Sequence, residues 1–160
     1  MLAELFSTLS TYGYFGIFLI SLIGSATIIL PIPSAIVIFS AGAFLNPFIV
    51  GLLGGIGAAI GEFTGYGIGL GGRRVIKKKW KRGIDKVEKL FQKYGGFIIL
   101  IIFAATPLPD DIVGLFCGIS KYEIKKFFIA VLIGKIILHL ILAYAGFYGI
   151  SWILEITSTS

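Results

Sequence analysis

One cysteine, one histidine and eight acidic residues are all that this 160-residue chain carries of the groups most enzymes use. With Cys117 alone, no intramolecular disulfide can form, so cysteine usage says nothing about redox compartment. With His139 alone, and with neither HExxH nor GxSxG, zinc hydrolysis and triad chemistry find no support. The expectation is a protein that is not an enzyme and holds no metal or cofactor. Met1-Leu2-Ala3-Glu4 shows neither a basic n-region nor a cleavage site, so no signal peptide is expected.

What is abundant is apolar. Hydrophobic residues make up 57% of the chain and mean hydropathy is +0.99. That composition predicts one small all-α polytopic membrane domain over residues 1–160. Twenty-two glycines suit closely packed membrane helices. The net charge of +6 is unevenly spread: residues 73–93 hold ten basic and two acidic residues, and the remainder is slightly acidic. Arg73, Arg74, Lys77, Lys78, Lys79, Lys81 and Arg82 form a basic loop on a near-neutral membrane body. Anionic lipid headgroups suit it better than nucleic acid, and the positive-inside rule puts it in the cytoplasm. The expected location is the cell membrane, with the N-terminus outside.

The most unusual stretch is Thr106-Pro107-Leu108-Pro109-Asp110-Asp111, which interrupts an apolar run from Phe97 to Ile119. Proline cannot donate a backbone hydrogen bond and clashes with the preceding turn, so a helix breaks there. Broken backbone inside a bilayer survives only where protein or a watery cavity shelters it. Basic residues flank 96–120 on both sides, so the segment enters and returns on one face, as a re-entrant hairpin.

In chain order, an apolar run over 12–30 stops at Pro31-Ile32-Pro33, and a shorter one from Ser34 to Phe44 ends at Asn46-Pro47. These read as a first broken hairpin with tip residues Pro31, Pro33 and Ser34, matching Pro107 and Pro109 in the second. Residues 48–72 read as a span. Gly57, Gly61, Gly65 and Gly69, with Gly51, Gly55 and Ala59, make two rows of small residues for helix packing within the chain or in a homo-oligomer. Gly67 to Gly72 matches GxGxxG but lacks the βαβ setting a dinucleotide site needs. Ile84, Val87, Leu90, Phe91 and Tyr94 predict an amphipathic helix on the membrane surface within the basic segment 73–95. Residues 124–145 read as a second span, and 147–160 as a short apolar piece without a clear place.

These segments repeat. Tyr12-Gly13 matches Tyr94-Gly95, Pro31-x-Pro33 matches Pro107-x-Pro109, and Gly42 matches Gly118. Gly61-Glu62-x-x-x-Tyr66 on one span matches Gly134-Lys135-x-x-x-His139 on the other. The fold class is therefore an inverted repeat of re-entrant hairpin plus transmembrane helix: repeat one 12–72, the basic segment 73–95, repeat two 96–146. Secondary transporters use this architecture and bind at the midplane.

The repeat aligns Glu62 with Lys135. Each costs roughly 2.5 kcal/mol or more near the bilayer centre, and an ion pair at ~4 Å and an effective dielectric of ~20 offsets about 4 kcal/mol. Two readings stand: a structural pair that locks two spans, or a carboxylate in a transport cavity whose charge changes during the cycle. His139, one turn beyond Lys135, either relays protons or bonds a neighbouring group. Asp110 reads as a helix cap and Asp111 as unexplained by capping; either also reads as a cation or proton site.

Gly61-Glu62-Phe63-Thr64-Gly65-Tyr66-Gly67-Ile68-Gly69 and Pro107 to Gly118 resemble the two motifs of the DedA family, also called the VTT or SNARE-associated membrane-protein domain. The resemblance covers about residues 12–146. It implies two facing re-entrant hairpins and movement of lipid, either phospholipid scrambling or polyprenyl-phosphate or phospholipid flipping, in many bacterial members with the proton motive force. Glu62 matches the family's membrane-embedded acid. The bacterial branch places arginines three residues either side of the second-hairpin proline; here those positions are Ala104 and Asp110, closer to the branch with P-x-P-x-D. The implied site is a polar groove lined by Glu62, Tyr66, Asp110, Asp111, Lys135 and His139. The alternative is a proton- or cation-coupled carrier of a small solute.

Overall fold

The computed structural model describes residues 2–26, 34–79, 81–106 and 111–158, with side chains described for 12–26, 34–72, 81–82, 84–106, 113–149 and 152. Apart from short turns between elements, the described residues are helical. The elements are α1 (Leu2–Ala26), α2 (Ser34–Phe44), α3 (Pro47–Gly61), α4 (Phe63–Lys79), α5 (Lys81–Tyr94), α6 (Gly96–Ala104), α7 (Asp111–Ser120) and α8 (Ile124–Ser158). By length and composition, Pro47–Gly72 and Ile124–Gly149, 26 residues each, can cross a bilayer. The proline-rich tips at Pro31, Pro33, Pro107 and Pro109, and Asp110, lie outside the described residues. So do the side chains of Asp111, Arg73, Arg74, Lys77, Lys78 and Lys79.

Local sequence explains the boundaries. The Asn46 side chain accepts from the Phe48 and Ile49 amides at 3.0 and 3.3 Å, and Pro47 fills the first helical position of α3. Gly95, at φ 82°, joins α5 to α6 in a conformation that costs other residues a steric clash. Lys121 takes φ 54° after α7, and the Tyr122 amide donates to the Cys117 carbonyl at 2.9 Å, closing the helix end with a six-residue loop.

Several expectations change. The basic stretch Arg73–Lys79 is no loop: it continues α4, because Lys and Arg are good helix formers and need only their heads in water. The amphipathic helix α5 is present, but it does not lie wholly on the membrane: Ile84 is buried and Val87 and Phe91 pack on the protein core, leaving Leu90 and Tyr94 exposed. The first span is two helices meeting in a turn at Glu62, which keeps right-handed helical backbone (φ −60°, ψ −20°). The segment 147–158 is no separate piece, since α8 runs unbroken for 35 residues, roughly 50 Å.

The hairpin arms also behave differently from a closed hairpin. The α1 arm packs on α3 and the α2 arm chiefly on α8; in the second half α6 packs on α8 and α7 on α4. Each first arm therefore seats on the span that follows it, and each second arm on the span of the other half. Glycines set this up at equivalent places. A Cβ on Gly42 would run into the Ala143 carbonyl, and one on Gly118 into the Tyr66 carbonyl. A Cβ on Gly61 would stand 2.5 Å from the Leu22 carbonyl oxygen, and one on Gly134 2.7 Å from that of Ile101. The second small row, Gly51 and Gly55, meets Leu140 and Ile136 of α8. Both rows thus serve contacts within the chain.

Two apolar cores result. One gathers Leu100, Phe116, Cys117, Ile119, Phe127 and Val131; the other gathers Ile17, Ile38, Val50 and Ala143. Outside them, Ile129, Ile133, Ile137 and Ile141 form an exposed four-residue row along α8, facing where lipid would be. Near the far end of α8 the aromatic residues Tyr148 and Trp152 are exposed, as in an interfacial belt.

Gly118→Ala and Gly42→Ala are each expected to lower the unfolding midpoint in detergent by the equivalent of about 1–3 kcal/mol. Gly67→Ala, whose Cβ would meet nothing within 4 Å, should leave the midpoint unchanged or raise it slightly. Equal midpoints for all three would contradict the backbone contacts described for α2 and α7.

Candidate functional site

Two rows of residues spaced four apart face each other across the molecule. On α3 and α4 the row is Val50, Gly54, Ala58, Glu62 and Tyr66; on α8 it is Phe127, Val131, Lys135, His139 and Ala143. All ten residues are buried. Each row runs from one apolar core to the other and turns polar in between. The Lys135 Nζ lies 2.9 Å from Glu62 Oε1, with side-chain exposures of 7% and 3%. The sequence aligned these two residues as repeat equivalents; the structure brings them into direct contact.

The pair sits where the chain can hold it. Glu62 occupies the turn between α3 and α4, and its carbonyl still accepts from the Tyr66 amide at 3.2 Å, so the helix axis is not lost. Gly114 of α7 faces it: a Cβ there would lie 3.3 Å from Glu62 Oε2. A larger residue at 114 would press on the carboxylate. The space beside Glu62 is about 10 Å³, bounded by Leu100, Phe103, Val113, Gly114 and Phe127 among others. That is close to the smallest volume that accepts one water. The described residues therefore close tightly around the pair.

His139 is buried one turn along α8, and its Nδ1 is 2.8 Å from the Lys135 carbonyl. A donor at Nδ1 makes Nε2 the acceptor of the neutral ring. Sequence reasoning missed what lies next to it. Ser21 of α1 is fully buried, and its hydroxyl has no hydrogen-bond partner among the described residues. A Cβ on Gly54 would stand 2.9 Å from His139 Cδ2 and 3.4 Å from Ser21 Oγ, so both side chains border the same glycine. Ser21 gives no sequence signal beyond one hydroxyl in an apolar run. Its burial depends on which face α1 turns to α3.

The remaining candidates divide. The Tyr66 hydroxyl donates to the Tyr122 carbonyl at 2.6 Å, and its ring packs on Phe127 at 5.0 Å, so the structure places it in the core and on the α7–α8 connection. Ser34 begins α2 and is half-buried. Asp111 begins α7. Lys81 and Arg82 are exposed at the start of α5. Among the described residues no cluster of three or more His, Cys, Asp or Glu side chains is placed to hold a metal ion.

Closely packed helices, two of them long and apolar enough to cross a bilayer with a charged pair buried between them, fit a polytopic membrane protein. The VTT domain family model matches residues 32–148, and the chain belongs to this family, the DedA family of membrane proteins. It is 30% identical over 139 residues to the uncharacterized protein MJ0201 of Methanocaldococcus jannaschii, covering 84% of each chain. It is 30% identical over 131 residues to the uncharacterized membrane protein YbfM of Bacillus subtilis, covering 74% of this chain and 79% of the relative. It is 31% identical over 157 residues to the uncharacterized membrane protein YkoX of the same organism, covering 89% and 66%. No solved structure matches the chain.

Removing one partner of a buried pair leaves the other charge uncompensated, at a cost of roughly 3–5 kcal/mol. Glu62→Gln and Lys135→Met are each expected to lower the unfolding midpoint in detergent, and Glu62→Gln/Lys135→Met to recover most of the loss. Additive losses in that double-mutant cycle would mean that the two side chains do not interact.

Proposed function

We propose that this protein is a transporter, not an enzyme, and moves the headgroups of membrane lipids across the bilayer, as a scramblase or a flippase. The observation that carries the reading is the Glu62–Lys135 pair, buried at 2.9 Å between two spans and between two apolar cores. Ionisable residues at such depth mark pathways and coupling sites by default. A headgroup with a phosphate and an ammonium could replace either partner, so the pair could open without leaving a bare charge. The two proline-broken hairpins, entering from opposite faces, would supply the tips of the path, with Asp110 and Asp111 at the second. Family membership agrees with a membrane role and leaves the lipid unspecified.

A second reading, a proton- or cation-coupled carrier of a small solute, is favoured by one observation. The space at Glu62 is about 10 Å³, too small for a headgroup and sufficient for a proton or a water. His139 would then join Lys135 in the relay. In either case the basic segment 73–93 faces the cytoplasm and anionic headgroups, the N-terminus lies outside, and the plasma membrane is the site of action. The chain acts alone or as a homo-oligomer.

Purified protein in liposomes with fluorescent phospholipid, treated with dithionite, separates the readings. Fast loss of inner-leaflet fluorescence without a pH gradient, slowed by Glu62→Gln/Lys135→Met and by Asp110→Asn/Asp111→Asn, is the expected result. Full protection of the inner leaflet, with and without a gradient, would end the scramblase reading. It would leave a specific flippase or a solute carrier. Orientation is checked separately: Lys81→Cys on a Cys117→Ala background should react with an impermeant maleimide in inside-out vesicles and not in intact cells.

A further inference from the structure

A cavity of about 260 Å³ opens where α5, the start of α6 and the end of α7 meet, and it shares no residue with the space at Glu62. Its wall holds three aromatic rings, Phe91, Phe116 and Tyr122, together with Glu88 and Gln92 of α5. Phe91 makes T-shaped pairs with Phe116 at 5.3 Å and with Tyr122 at 5.6 Å between ring centroids, each at 78°. The backbone builds this wall. The left-handed Lys121 turns the chain so that Tyr122 folds back over α7, and the Tyr66 hydroxyl pins the Tyr122 carbonyl at 2.6 Å. A Cβ on Gly96 would lie 2.6 Å from Phe91 Cδ2 and 3.0 Å from Tyr122 Cε2, so glycine is what lets the two rings close on each other. Burial pushes the Tyr122 phenol up from its ordinary value, so the ring stays neutral.

We propose that this cavity binds an organic ammonium group of the size of ethanolamine or choline. Aromatic faces attract a cation through their quadrupole, and choline-type ammonium groups are the ligands such surrounds take. The half-buried Glu88 supplies the countercharge and makes no ion pair with another described residue. Among the described residues no basic side chain lines the cavity, so there a phosphate or carboxylate would meet only the like charge of Glu88. A purely apolar ligand would strip water from that carboxylate without compensation. Lys89 and Lys93 are exposed on the same helix and are not among the residues that line the cavity. The same chemistry therefore fits a zwitterionic lipid headgroup and a free amine. The assignment does not rest on the transport reading, because binding is measured without translocation.

The full chain in neutral detergent is titrated with choline, ethanolamine and tetramethylammonium chlorides against sodium chloride of equal ionic strength, with saturation-transfer NMR on the ligand. Saturable binding to the wild type, weakened roughly five- to tenfold in Glu88→Gln with an unchanged unfolding midpoint, is expected. No saturable binding above the sodium control, or equal binding by Glu88→Gln, overturns the site. Native mass spectrometry from mixed phosphatidylcholine and phosphatidylglycerol nanodiscs then identifies the source. Retained phosphatidylcholine that is lost in Glu88→Gln assigns a lipid headgroup; choline binding with no such lipid preference assigns a free amine.

Discussion

The structure depends on neutralising two charges that an apolar layer cannot hold singly. Glu62 and Lys135 each face a cost of roughly 2.5 kcal/mol or more at the membrane centre, and at 2.9 Å they cancel most of it. That constraint fixes the register of the two spans. Sliding α8 by one turn would bring His139 or Val131 opposite Glu62 and leave both charges unmatched. Because the cost of an unmatched pair exceeds that of most packing defects, the pair selects one alignment of α3 and α4 against α8. The two apolar cores then assemble on either side of it.

Close approach of the spans and arms is the second condition, and the glycines meet it. Helices in lipid have no hydrophobic force pulling them together; they associate through packing and polar contacts. Gly51 and Gly55 bring α3 against the backbone of α8, and Gly42 and Gly118 seat the second arms on the spans of the opposite halves. The arms therefore tie the halves together crosswise. Such an arrangement explains why α1 and α2, or α6 and α7, need little contact with each other. The half-helices are held by what they cross.

Much of this could be read in the residues. The Pro-x-Pro breaks, the four-residue glycine rows and the Gly-Glu and Gly-Lys equivalence gave the arms, the packing faces and the partners of the pair. What could not be read has physical causes. Arg73–Lys79 looked like a loop because charge reports exposure and not backbone, and the same residues propagate α4 well. The apolar stripe of α5 suggested a membrane surface, but sequence cannot say whether Ile84 and Phe91 meet lipid or protein; here they meet the core. Residues after Gly146 looked detached because glycine weakens helix signals. In α8 that glycine is where the Phe39 carbonyl makes its approach, and the helix continues. Ser21, beside His139, is one hydroxyl in an apolar run and carries no signal of its burial.

The closed state at Glu62 follows from the same electrostatics, and it sets a condition on any transport. Separating the pair without replacement would cost on the order of 4 kcal/mol at an effective dielectric of ~20. That leaves about one molecule in a thousand open. With the pair intact, a compact site is therefore the favoured state. A cargo can shift the balance only by binding the open state more tightly than the closed one. For a neutral solute that preference must come from elsewhere, whereas an ionic headgroup, or a proton on Glu62, acts on the pair directly. The crosswise seating of α2 and α7 adds a mechanical consequence. Each second arm rests on the opposite span, so when the pair parts and the spans move, α2 and α7 move with them. The charge at the centre and these two half-helices are coupled by packing, without any further element.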